Sequence, residues 1–576
     1  MDVPPLDSVN RGFRERYLDY GELTEQLRAW AHAYPSLVRL ESLGTTPQGR
    51  ELWVVTIGPE PERVRPAVWV DGNLHAVELA GSSVALAIAE EAIRLHLEGE
   101  GSAGGESAAV REAARPVLFH VMPRISPDGA EAVLKTGQYV RSVPRDARPN
   151  RQHARWRAGD VDGDGVALAM RIEDPAGEYV ESADCPGLML ERTIHDSGPF
   201  YRVYPEGFVE NFDGQGIPDP GYLDDNSPDL NRNFPFQWVP EPEQEGAGPF
   251  PASEPESRAI VEFAAARPNL FAWFNLHTFG GVYIRPRAEV PDEKMDRSDL
   301  ALYRQLEAWA EELTGYSMVS GYEEFTYEPG KPLHGDLTDF AYHQRGCLAM
   351  VCELWDLFAQ LGIPRRKPFV DHYTHTTAED LIRLARWDRE QNAGRVIRPW
   401  RRVNHPQLGE VETGGWDPRV GVSNPPYEKL PEICAGQSAF WLRVAAMAPS
   451  VAVGDVRVTP LGGGVHRLEA SVINRGYLPT YILSSARCHD WNEPLHARFE
   501  TSDCDLADPL DAHQRIGHLE GWGRGRHSGS GSLFHRYSRG SGHRARVTAV
   551  VQGTGTVKVS VGSCRVGWVE TQIRIG

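Results

Sequence analysis

Apolar positions recur at helical spacing through "YGELTEQLRAWAHA", break at Tyr34-Pro35 and give way to a short strand in "LVRLESLG". "RELWVVTIG" and "PAVWVDGNLH" then read as strands. "AGSSVALAIAEEAIRLHLEG" reads as a helix with Ala and Leu on one face, and "PVLFHVMPRISPDG" as an apolar strand leaving into a turn. The same alternation returns in "SRAIVEFAAARPNLFAWFNLHTFGG", "LALYRQLEAWAEELTG" and "CLAMVCELWD". Nearly continuous apolar strands separated by helices predict an α/β fold whose mixed, largely parallel sheet is covered on both faces.

Three stretches depart from this rhythm. From about 142 to 229 the chain is rich in Asp, Gly and Pro with little periodicity, which predicts a long insertion on the face where chemistry lies. "EGEGSAGGESAA" reads as a surface loop, and an arm from about 397 to 447 ends in a helix over "CAGQSAFWLRVAAMAP". After about Ser450 the period becomes two, with glycine turns and no helical segment. This predicts a large α/β domain over 1–447 and a smaller, accessory all-β sandwich over 448–576. A chain of 576 residues, 41% hydrophobic, is long enough for two such cores.

The formal charge of -20 argues against nucleic acid, which needs a basic face. The one basic, aromatic stretch, "GWGRGRHSGSGSLFHRYSRGSGHR", reads as a surface loop of the β domain. Seven cysteines without paired spacings, together with no visible signal segment or apolar run of membrane-spanning length, predict a cytoplasmic protein with no membrane partner. Cys347 and Cys352 read as buried thiols rather than ligands. The pattern leaves the oligomeric state open.

Chemistry enters at "VDGNLHAVELAGSS". His75 and Glu78 stand three residues apart where a strand turns into a helix, so both can face one side. Zinc takes such N and O ligands, and a third has to come from the end of another strand; His277 in "FNLHTFGG" has that setting. An isolated HxxE is also compatible with a capping Glu beside a hydrogen-bonded core His. Glu353 in "AMVCELWD" enters at the end of an apolar strand, where a carboxylate is costly unless it is paired or functional. It fits a general base toward water.

Taken in order, these segments resemble the zinc carboxypeptidase family, the carboxypeptidase A-like metallocarboxypeptidases, over roughly residues 15 to 390. "YPSLVRLESLGTTPQGRELWVVTIG" is similar to the family's opening and "LHAVE" to its HxxE segment. "SPDG" is similar to its NPDG turn and "DLNRNF" to its Asn-Arg motif. "NLHTFGG" is similar to its second-His strand, and "GDLTDFAY" with "VCELWD" to its closing pair. The resemblance implies one Zn2+ per chain on His75, Glu78 and His277, with Glu353 as base and later proton donor. It implies Arg141, fifteen residues after Ser126, as the group polarising the scissile carbonyl. It further implies that Asn231 and Arg232 hold the free C-terminal carboxylate of a peptide substrate. An Asn-rich turn with a surface Arg is the bland reading of that last pair.

The sequence also departs from the family. The substrate-contacting Tyr position falls on Lys331, leaving Tyr327 as the nearest replacement. Val77 and Phe279 stand where the digestive enzymes carry Arg and Tyr. The base of the side-chain pocket corresponds to Thr338, with the acid Asp336 close by. Asp160, Asp162 and Asp164 start like a Ca2+ loop, but Arg171 occupies the twelfth position where a bidentate acid belongs, so a solvated Asp/Gly turn is the preferred reading. Two other functions fit the pattern less well. One is a zinc amidohydrolase acting on γ-glutamyl, N-acyl amino acid or cell-wall peptide amides. The other is a non-catalytic binding protein that uses its sandwich.

Overall fold

The apolar runs form the middle of an eight-stranded mixed sheet in the computed structural model, which describes residues 4–97, 106–145, 152–220, 228–328, 330–527 and 537–576. In chain order the strands are β1 (Val38–Thr45), β2 (Glu51–Ile57), β3 (Ala67–Gly72), β4 (Leu118–Met122), β5 (Leu270–Thr278), β6 (Val282–Arg285), β7 (Ser317–Ser320) and β8 (Leu348–Leu354). Their spatial order is β1-β2-β4-β3-β5-β8-β6-β7. The four central strands, β4, β3, β5 and β8, run parallel, while β1, β2 and β6 bring in antiparallel pairing. The expected α/β class is what forms. Every residue of β3, β4 and β5 is buried, because helices lie on both faces and leave no side for alternating polar residues.

Helix Ala80–Leu97 packs against β3 and beneath helix Leu430–Ala445, and nearly all of it is buried. Glycine is required where its first turn crosses the strand end. A Cβ on Gly72 would lie 2.5 Å from the carbonyl carbon of Gly81, so the two backbones touch with no side chain between them.

The expectation of an irregular insertion is corrected by the structure. Short strands Ala169–Glu173, Tyr179–Glu181, Met189–Glu191 and Phe200–Pro205 join Ile397–His405 and Gly409–Trp416 in a second, six-stranded sheet. Strands this short carry no readable period, and the first of them pairs with a segment far along the chain, Arg171 opposite Glu412. The insertion and the later arm are therefore one subdomain, with Trp156, Met170, Val209 and Val411 at its core.

From Val451 onward every strand is antiparallel. The 20-residue strand Arg544–Ser563 pairs with Val465–Asn474 along its first half and with Gly567–Ile575 along its second, so one continuous sheet closes over a single core that includes Leu468, Phe499, Val559 and Ile573. The β domain docks on the rest of the chain through Arg565, which is 1% exposed and donates to the carbonyls of Pro268, Arg345 and Gly346 at 2.9, 3.0 and 2.6 Å. Asp299 adds bonds from Ser484 N (2.7 Å) and Ser485 Oγ (2.6 Å). Cys347 and Cys352 are buried and free, as expected. Among the described residues no helix is long and apolar enough to cross a membrane. Of the surface-loop readings, residues 98–105 of "EGEGSAGGESAA" and 528–536 of "GWGRGRHSGSGSLFHRYSRGSGHR" fall outside the described residues. The first reading is corrected at its end, where Ser107 caps a short helix Ala108–Ala114, and the second ends where the strand Arg544–Ser563 begins.

Replacing Arg565 by Ala strands three carbonyls, that of Pro268 just before β5 and those of Arg345 and Gly346 just before β8. The expected loss is on the order of 3 kcal/mol of stability, read as a lower denaturation midpoint; an unchanged midpoint would show that docking does not depend on these bonds.

Candidate active site

Strand register brings the distant candidates together. In the parallel pairs Leu276 lies beside Gly72 and His277 beside Glu353, so β3, β5 and β8 end along one line, and the turn after β3 carries His75 and Glu78 to the same edge. Carboxyl ends of parallel strands are where such sheets build sites, because the chain leaves the sheet there into loops that can converge.

The turn itself is held from three sides. Asn73 adopts left-handed backbone (φ 58°) and donates to the carbonyls of His75 (2.8 Å) and Ala76 (2.9 Å). Ala76 N donates to Arg141 O at 2.7 Å, which draws Arg141 alongside. Asn424, from the distant arm, accepts from Ala80 N at 2.9 Å and donates to Val77 O at 2.8 Å, so it caps the helix that Glu78 does not cap.

His75 Nδ1 lies 2.8 Å from Glu78 Oε1, His277 Nδ1 lies 3.0 Å from Glu78 Oε2, and the two Nδ1 atoms are 3.0 Å apart, all within a buried cluster. The outer nitrogens face other partners. His277 Nε2 contacts Asn275 Oδ1 at 2.5 Å, and His75 Nε2 stands 3.4 Å from Asp229 Oδ1. With Nε2 protonated toward those acceptors, both Nδ1 lone pairs and the carboxylate point at one another, an arrangement that a shared cation satisfies. Two imidazoles and a carboxylate are a ligand set suited to zinc. Burial works against the charge on Glu78, but the two imidazoles and their hydrogen bonds hold it below the usual carboxylate range. Burial lowers the pKa of His277, the direction that favours the neutral imidazole a metal requires.

Behind His277, buried Asp71 accepts from Trp69 Nε1 (2.6 Å), Trp273 Nε1 (2.9 Å) and the Asn275 amide. Burial pushes its pKa up to about 7 against those bonds. Asp229 plays the matching role for His75. It also accepts from Arg141 Nε at 3.1 Å and from Asn231 N at 2.8 Å, and despite burial the charges of Arg141 and His75 hold it well below the usual range. Neither Asp229 nor Asn275 was singled out from the sequence, although both lie inside quoted motifs. In a chain with 80 acids, nothing local separates a supporting Asp from a solvated one.

A cavity of about 550 Å³ opens on the cluster and is lined by Arg141, Asn231, Arg232, Tyr327, Thr338 and Glu353, so every remaining candidate reaches the same space. Burial and the Glu78 charge push Glu353 well above the usual carboxylate range, with Arg141 opposing. Asn231 Oδ1 accepts from Leu337 N at 3.0 Å, which leaves its amide NH2 as the group with hydrogens to offer. Arg232 Nη1 donates to Asn231 O at 2.7 Å. Thr338 is buried, while Tyr327 is 52% exposed at the rim; Lys331 is turned to solvent and paired with Glu328. Tyr373, which no sequence signal marked, also lines the cavity and donates to the Phe279 carbonyl.

The proposed calcium set is not assembled. Asp160 and Asp162 approach Glu206 rather than Asp164, and the loop's own amides occupy the carboxylates: Asp160 accepts from Gly163 N (2.7 Å) and Gly165 N (2.9 Å), and Asp164 from Val166 N (2.9 Å). These are the bonds of an Asp/Gly turn.

Residues 450–574 match a family described only as a domain of unknown function. Among curated proteins, the chain is 28% identical to carboxypeptidase A6 of Mus musculus over 277 residues, 46% of this chain and 44% of that protein. It is 32% identical to carboxypeptidase D of Mus musculus over 108 residues, 18% of this chain and 7% of that protein. The matches thus span under two thirds of either relative. Among solved structures, bovine thrombin-activatable fibrinolysis inhibitor in complex with tick carboxypeptidase inhibitor aligns over 75% of this chain and 98% of that chain, with 13% identity and a TM-score of 0.41. The family described as zinc carboxypeptidase matches residues 23–192 and 220–366, more than half of the sequence and the stretch that supplies every residue of the cluster, and the chain belongs to that family.

Proposed function

We propose that this protein is a zinc-dependent metallocarboxypeptidase that hydrolyses the C-terminal bond of peptides. The observation that carries the reading is the convergence of His75, Glu78 and His277 beside Glu353, in a cavity that also holds two arginines, Arg141 and Arg232. Zinc held by the first three residues supplies, when bound, a Lewis acid for the scissile carbonyl and for water.

The rest is the work of the chain's own groups. Glu353 takes the proton of the attacking water on its carboxylate and passes it to the nitrogen of the leaving amine as the C–N bond breaks. Arg141, anchored by Asp229, presents its guanidinium to the carbonyl oxygen as negative charge grows there, an interaction stronger in the transition state than in the ground state. Asn231 and Arg232 bind the free carboxylate, and Arg suits that task because its planar fork meets both oxygens. Thr338 at the buried end of the cavity and Tyr327 at its rim contact the terminal side chain. Asp336 beside Thr338 favours a polar or basic one.

Glu353→Gln is expected to keep its zinc by elemental analysis while kcat falls at least about a thousandfold; near-normal turnover would refute the base. For Arg232→Ala, kcat/KM on peptides with a free C-terminus should drop by about a hundredfold or more, with little change on amidated peptides. Equal losses on both would mean that the terminus is read elsewhere. Asp229→Asn is expected to weaken zinc affinity by about 10- to 100-fold in chelator competition, and an unaltered affinity would remove Asp229 from the support of His75.

A further inference from the structure

A second group of metal-ligating side chains lies behind one wall of the cavity. Glu289, Asp339 and His343 offer ligand atoms that all fall within 4.8 Å of one another. They come from two parts of the fold: Glu289 from the segment after β6, and Asp339 and His343 from the helical turn Leu337–Asp339 and the π-turn Phe340–Gln344 that continues it. Local π geometry of this kind is frequent at functional sites.

Each of the two carboxylates is anchored through one oxygen. Glu289 Oε1 accepts from Arg287 Nε (2.9 Å), and Asp339 Oδ2 accepts from Ala288 N (2.9 Å). The opposite oxygens, Glu289 Oε2 and Asp339 Oδ1, are buried and have no hydrogen-bond partner among the described residues, and the same holds for His343 Nε2. The side chain of Glu289 is 8% exposed and Asp339 is 3% exposed. Phe236 stacks on the His343 ring at 4.1 Å and 9°, which fixes the direction of Nε2. Two carboxylate oxygens left bare and facing each other out of water are costly. Arg287 offsets only the far side of Glu289, and Asp336, which accepts from Asp339 N at 2.9 Å, adds a further acid.

A proton shared by the two acids would leave the imidazole nitrogen without a hydrogen bond, its nearest acid atom being Glu289 Oε1 at 3.7 Å, whereas a cation answers all three residues together. We propose that Glu289, Asp339 and His343 form a second metal site, separate from the catalytic cluster, for a divalent transition cation of the zinc or manganese type. The donor set selects that class, since an imidazole with two carboxylates suits zinc or manganese better than magnesium. Anchoring of the two carboxylates by their other oxygens is the outer-shell support that metal sites carry. The ion would tie the segment Pro286–Glu289 to the turn bearing Asp336, Thr338 and Asp339. Because Pro286, Ala288, Thr338 and Asp339 line the substrate cavity, it would stiffen the walls that receive the terminal side chain.

The test is metal stoichiometry of the full chain loaded with Zn2+ and desalted, together with anomalous scattering at the zinc edge from crystals of the unaltered protein. Two ions per chain are expected, with one anomalous peak between Glu289, Asp339 and His343. His343→Asn should retain one ion, and His75→Ala/His277→Ala should retain the other. A single ion in the unaltered protein, with its peak between His75 and His277, would overturn the second site and leave the catalytic reading intact. An unchanged ion count in both His343→Asn and Glu289→Gln would overturn it as well. The peak in the unaltered protein decides the matter even if a variant fails to fold.

Discussion

Everything at the cavity depends on β3, β5 and β8 being parallel, adjacent and in a register that ends them together. A shift of one residue between β5 and β8 would turn His277 to the opposite face of the sheet from its present alignment with Glu353. What holds the register is burial: the strands are apolar on both sides, and a slip would place Asn275, His277 and Glu353 among Trp273, Phe274 and their neighbours. The contact between Gly72 and Gly81 then sets how closely the following helix sits on β3, and therefore where the His75–Glu78 turn lies.

The electrostatics follow from that crowding. Two imidazoles and three acids, Glu78, Asp229 and Glu353, lie together at the largely buried floor of the cavity, and unpaired charges there would be costly. The arrangement resolves this by sharing. Asp229 serves Arg141, His75 and a backbone amide at once, and Asn275 relays between His277 and Asp71. Arg141 stands between Asp229 and Glu78, so its guanidinium is oriented by acids that also face His75 and His277. Charge balance and positioning are the same set of contacts.

Segments outside the central sheet contribute position rather than chemistry. Asn424 in the arm caps the helix that follows Glu78, and the β domain reaches through Arg565 to the carbonyls just before β8, the strand that carries Glu353. Both act on the chain where it enters or leaves a strand of the site. This gives the added domain a mechanical relation to the cavity without any of its described residues lining it.

Local pattern determined a good deal: the α/β class, the antiparallel character of the C-terminal region, and the placing of His75, Glu78, His277 and Glu353 each at the end of an apolar strand. These are consequences of short-range spacing and of strands too apolar to face water. The second sheet is not legible in the sequence because strands of three to six residues show no period, and the one that joins the insertion to the arm has its partner more than two hundred positions away, Arg171 opposite Glu412. Asp229, Asn275, Asn424 and the group of Glu289, Asp339 and His343 were hidden for a related reason. The role of each comes from neighbours supplied by another part of the chain, and only folding brings those neighbours within hydrogen-bond reach. Sequence thus determined which side chains stand at the strand ends, and tertiary structure decided which other residues hold them there, because spacing along the chain encodes direction on a strand or helix while support across the fold depends on distances that exist only after packing.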